Sequence, residues 1–143
     1  MAPGATHELR LRLIRDSDAP PGNPLGEPFE LGLQDAKQNL IAGVRDAAGR
    51  LAWDFAVTVG PGKHADRPNF TGRFASGPAD DRFVYLAWRS IPRGVWINRI
   101  KARLSGIDWP LIEQARAADR PLVADMSGWT PHDARRQVEW RLA

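Results

Sequence analysis

Between residues 51 and 59 large apolar side chains alternate with small or polar ones. Leu51, Trp53, Phe55, Val57 and Val59 stand against Ala52, Asp54, Ala56 and Thr58. Successive side chains of a strand point to opposite faces, so this period of two commits the segment to a β-strand with one buried side. The same period returns over residues 8–15, where Leu9, Leu11 and Leu13 oppose Arg10 and Arg12. It returns again over 29–34, over 97–104 (Ile100, Ala102, Leu104 against Arg99, Lys101, Arg103) and over 137–142. Further short strands are expected at 39–45, 70–74 and 122–126. Residues 82–89 are apolar on both sides, which places that strand between two layers or inside a barrel wall.

The breaks between these runs are as informative. Residues 16–28 contain Pro20, Pro21, Pro24 and Pro28, too many breakers for a helix or a central strand, and 60–69 is a second such loop. Residues 46–49 read as a hairpin turn, with Gly49 supplying a positive φ. One helix is expected near residues 108–119: Asp108 is a good N-cap, Ile107 and Ile112 have the spacing of a hydrophobic staple, and Pro121 stops the run. Leu111, Ile112, Ala115 and Ala118 would form its apolar stripe. The expected architecture is mainly β (α+β): an eight- or nine-stranded antiparallel sandwich or partly open barrel with that one helix. The chain, 143 residues long, is expected to be a single domain over 1–143, with residues 1–7 a disordered N-terminal segment.

Composition narrows the chemistry. With no cysteine there is no disulfide framework, thiolate zinc site, iron–sulfur cluster or cysteine nucleophile. Twenty basic residues against 17 acidic ones leave a net charge of +3, too small to imply nucleic acid unless the cations cluster. No signal-like N-terminus or membrane-length apolar run is seen, so a soluble, cytoplasmic protein is expected, without membrane association.

Several landmarks occur together: Leu31-Gly-Leu-Gln34, Asp54-Phe-Ala-Val57, Asn69-Phe-Thr-Gly-Arg-Phe74 and Gly77-Pro78, then Arg82-Phe-Val-Tyr-Leu-Ala-Trp88 and Arg99-Ile-Lys101 with Leu104. Over roughly residues 9–115 the chain thereby resembles a group of small, uncharacterised bacterial proteins, the domain of unknown function 5990. The resemblance implies a compact bacterial domain and no particular activity.

The residues themselves offer few sites. Gly60-Pro-Gly-Lys63 is not a phosphate loop: Val57 stands where a glycine is needed and His64 where Ser or Thr is needed. His7, His64 and His132 are scattered singly, so neither a metal site nor a cofactor is expected. Asp54, mid-strand among small neighbours, would anchor a ligand if its side lined a cavity; one-sided burial favours water instead. Arg10 and Arg12 on one strand and Arg99, Lys101 and Arg103 on another would put five cations on one face if those strands were neighbours. Trp129 lies in a loop, either plugging the end of the β-structure or meeting a partner; burial of large aromatics favours the plug.

Three functions follow. The first is a non-enzymatic domain binding a small ligand or a protein, with Asp54, Arg73, Arg82 and Trp129 as ligand-binding candidates. The second is a small enzyme with a carboxylate/arginine site in a β-barrel mouth, using Asp54, His64, Asp81 and Arg82. The third, which the modest charge disfavours, is a nucleic-acid-binding module using the two cation stripes.

Overall fold

A computed structural model of the chain describes residues 6–15, 28–35, 37–41, 43–61, 68–71, 73–74, 77–78, 83–129 and 137–143. The 51–59 alternation lies in β5 (Leu51–Pro61), which pairs antiparallel along its length with β1 (His7–Arg15). His7, expected in a disordered leader, opens β1 opposite Val59. On its other edge β1 pairs in parallel with β11 (Leu122–Asp125), which continues antiparallel into β12 (Arg141–Leu142). The free side of β5 takes β4 (Val44–Arg45) at one end and β6 (Pro68–Thr71) at the other. These six strands form sheet A.

Sheet B has the order β10-β9-β2-β3 and is antiparallel. It consists of β2 (Phe29–Gln34), β3 (Leu40–Ile41), β9 (Phe83–Ser90) and β10 (Trp96–Arg103). A separate two-stranded ladder joins β7 (Arg73–Phe74) to β8 (Gly77–Pro78).

One apolar core lies between the two large sheets. Sheet A contributes Leu9, Leu11, Leu13, Trp53, Phe55, Val57 and Leu122; sheet B contributes Leu33, Val84, Leu86, Trp88, Ile100 and Ala102. The sheets do not close into a barrel, so the sandwich is the architecture formed. It differs from the expected all-antiparallel arrangement in the parallel β1–β11 pair, and its strands are more numerous, several of them only two residues long. Residues 137–142 contribute only Arg141–Leu142 as strand, although Val138 and Trp140 are buried as their alternation requires.

The parallel pair follows from the helix. A 3-10 turn (Leu104–Gly106) ends β10, and α1 (Trp109–Ala118) carries the chain from sheet B back to sheet A. Asp108 caps α1 by accepting from the Leu111 N–H at 2.9 Å. Ile107 and Ile112 are both buried, as a staple demands, and Asp119 closes the helix in the left-handed region at φ 51°. The buried face is Trp109, Ile112 and Ala115; Ala118, expected in the stripe, is exposed.

Two local features shape the outer surface of sheet B. The hairpin from β9 to β10 leaves Ile91 and Val95 exposed. Near the start of β10 the register shifts between Trp96 and Asn98, so Trp96 pairs with Arg89. This bulge moves an even-numbered tryptophan to the side occupied by the odd-numbered cations.

Candidate functional site

The two outer faces of the sandwich treat their charges differently. On sheet A, β1 and β5 turn Arg10, Arg12, Asp54 and Ala56 outward because their alternate neighbours fill the core. Arg12 faces Asp54 across the ladder and binds it through both guanidinium arms, Nη2 donating to Oδ2 at 3.0 Å. Hydrogen bonding to Asp54 raises the Arg12 pKa above its ordinary value, against partial desolvation. Arg10 donates to the carboxylate of Asp119 at 2.9 Å and to its carbonyl at 2.7 Å. Arg50 bonds Asp46 at 3.1 Å and lies 3.8 Å from Asp125. Desolvation pushes Asp125 up, but hydrogen bonds from Ser127 and the charges of Arg50 and Arg141 outweigh it and hold the carboxyl below its ordinary range. The same balance, with Arg50 and the Ala48 amide as donors, lowers Asp46. These cations are therefore spent on carboxylates of the chain itself.

On sheet B the cations sit on rings. Core packing of Val84, Leu86, Trp88, Ile100 and Ala102 turns Phe83, Tyr85 and Arg89 of β9 outward beside Arg99, Lys101 and Arg103 of β10. Lys101 Nζ lies 3.7 Å from the Phe83 ring centroid, and the Arg103 guanidinium lies 5.9 Å from the same ring. Arg99 stands 4.6 Å from the Tyr85 centroid and Arg89 5.4 Å from that of Trp96. Each separation is within the reach of a cation–π attraction. Glu30 of β2, which pairs with Arg89, is the one carboxylate among the described residues of β2, β9 and β10. On the outer side of this doubly apolar stretch of β9, Phe83 and Tyr85 are half-buried and Ala87 is fully buried. Its outward rings, half-buried, lie under the stems and heads of neighbouring cations.

This geometry bears on two alternatives that the sequence leaves open. Arg10 and Arg12 do not share a face with Arg99, Lys101 and Arg103: the stripes belong to different sheets, on opposite sides of the core. Alternation identifies a strand's face but not its neighbour. Asp54 lines no interior: its side chain is 45% exposed and paired with Arg12, so it is not placed as the anchor of a barrel mouth. Trp129 is 5% exposed and packed in the core, and it borders a cleft of about 280 Å³ with Asp125, Gln137, Glu139, Trp140 and Arg141. Arg73 lies in β7, and His64, Asp81 and Arg82 fall outside the described residues.

A wider groove of about 520 Å³ runs between the short edge strands β3 and β4, floored by Gly32, Ala52 and Trp53 and flanked by Leu40 and Val44. Among the described residues no group of three or more His, Asp or Glu is placed to hold a metal ion, and no helix is long and apolar enough to cross a membrane. The aromatic members of the sheet B face, Phe83, Tyr85 and Trp96, were not singled out from sequence. For Phe83 and Tyr85 the signal available was their spacing two residues apart on β9, beside a strand of alternating cations. Trp96 had no such signal, because the bulge is not written in the alternation.

Residues 9–141 match the model of a family of unknown function, DUF5990. No curated protein matches the chain, and no solved structure does.

Proposed function

Since the chain belongs to this family, whose description assigns no activity, its role has to be argued from its own surface, and we propose that it is a binding module for an anionic partner. The binding surface is the outer face of β9 and β10. The observation behind this reading is that Lys101 and Arg103 share the Phe83 ring and have no carboxylate partner among the described residues, whereas Arg10 and Arg12 are both neutralised. A cation over a ring keeps its charge outward, without a carboxylate to neutralise it. The net charge of +3 is small for the whole chain, but on this face Arg89, Arg99, Lys101 and Arg103 stand beside a single described carboxylate, Glu30.

The plainer account is that β10, the last strand of sheet B, bears cations to discourage pairing at its edge. That role asks only for charge. It leaves unexplained why every outward cation of this pair of strands is seated on an aromatic ring.

Retention on a polyanion column separates the accounts. The wild-type chain should be held and released by salt, and Lys101→Ala with Arg103→Ala should elute at clearly lower salt. Arg10→Ala, which removes a cation of equal formal charge on the opposite face, should change the elution little. Equal shifts for the two sets of variants, or no retention at low salt, would overturn the reading.

A further inference from the structure

Building on that reading, we infer that the partner of the β9–β10 face is a single-stranded nucleic acid. The case begins with the mixture of groups. An acidic peptide would engage Arg99, Lys101 and Arg103 but gain little from Phe83, Tyr85 and Trp96. A duplex hides its base faces in its own stack and would meet the sheet mainly through phosphates. A single strand presents both phosphates and unstacked bases, and it is the ligand for which rings interleaved with cations are complementary.

The dimensions agree. Alternate residues on one side of a strand are about 6.6 Å apart, so Arg99, Lys101 and Arg103 form an evenly spaced row. The eight residues of β10 reach about 26 Å, enough to follow several nucleotides. A flexible strand can adjust its backbone to such a row. The rings lie alongside: Phe83 pairs with Arg103, Tyr85 with Lys101, and Trp96 stands at the far end beside Arg89. In the free protein each ring is occupied by a cation. On binding, Lys101 and Arg103 swing toward phosphates and a base takes their place on the Phe83 ring, or bases stack on the guanidinium planes themselves. Neither movement disturbs the core, because Val84, Leu86, Ile100 and Ala102 lie on the other side of the sheet.

Trp96 supplies a direct readout. Trp53, Trp88, Trp109, Trp129 and Trp140 are buried, and Trp96 is half-buried on the proposed face. A base stacking there quenches its fluorescence; a ligand that meets only charges does not place a π-system against it.

The test titrates the full chain, at low and high salt, with an oligothymidylate long enough to cross the sheet. The same titration is run with a duplex, with inorganic polyphosphate and with polyglutamate. The expected result is salt-sensitive binding of the oligothymidylate, tighter than that of the other three and accompanied by tryptophan quenching. Phe83→Leu and Tyr85→Leu, which keep an apolar side chain of strand-compatible size, should each weaken the oligothymidylate roughly fivefold or more and leave polyphosphate binding unchanged. Circular dichroism and melting confirm that these variants fold, and the wild-type quenching comparison does not depend on them. Polyphosphate or polyglutamate binding as tightly as the oligothymidylate, without quenching, would sink the nucleic-acid inference and leave the anionic-partner reading standing. Binding to none of the four at low salt would remove both.

Discussion

Gly43 sits against the indole of Trp53 so closely that a Cβ would fall inside the ring's van der Waals envelope. Trp53 is 4% exposed and belongs to the main core, so it has little room to retreat. Gly43→Ala should lower stability by about 1–3 kcal/mol, the usual range for overpacking, as read by urea unfolding. An unchanged midpoint would mean that the short connection between β3 and β4 moves instead. The Arg12–Asp54 pair offers the opposite case: its geometry is good but its partners are 35% and 45% exposed. A double-mutant cycle with Ala at both positions should give a coupling below about 1 kcal/mol, because solvent screens such pairs. From sequence alone Asp54 could be placed on the minority face of β5 but not given a partner, since Arg12 is 42 residues away and comes opposite only through the register of β1 and β5.

Among the elements, those determined by neighbours in the chain were legible and those determined by distant pairing were not. The helix is the clearest of the first kind. Asp108, the Ile107–Ile112 staple and the stop before Pro121 are all local, and α1 runs from Trp109 to Ala118 as they indicate. Asp108→Ala should cost about 1 kcal/mol of stability, since the Leu111 N–H loses its acceptor, and thermal or urea unfolding will measure it. The turn at 46–49 is equally local: Asp46 accepts from the amides of Ala48 and Arg50, and Gly49 takes φ 81°. The bulge in β10 belongs to the second kind, and so does the parallel seat of β11. Neither leaves a mark in the period-two pattern, because that pattern reports only which side chains share one side of one strand. The candidate binding face suffered from the same gap: its cations were visible, while the rings beneath them required knowing that β9 and β10 are adjacent.

At the scale of the whole molecule, acid sensitivity should come from the charged side of sheet A. Asp46 and Asp125 are both held below the ordinary aspartate value of 3.8. In the unfolded chain they take up protons sooner than in the folded one. Their contribution is therefore complete above that value and is lost as pH falls through the lower, folded values. Urea midpoints should be insensitive to these groups near neutrality and decline below about pH 4, and Asp125→Asn should make that decline shallower. A decline that begins near neutrality would point to other groups. The placement of β1 has a different consequence. It is zipped on one edge by β5, within the first half of the chain, and on the other by β11, where Leu11 meets Leu122. While the polypeptide is still being made on the ribosome, β1 and β5 can join early, yet the free edge of β1 stays bare until residues 122–125 have left the exit tunnel. Between the making of β5 and of β11 the nascent protein presents an unfinished ladder, an edge open to chaperones.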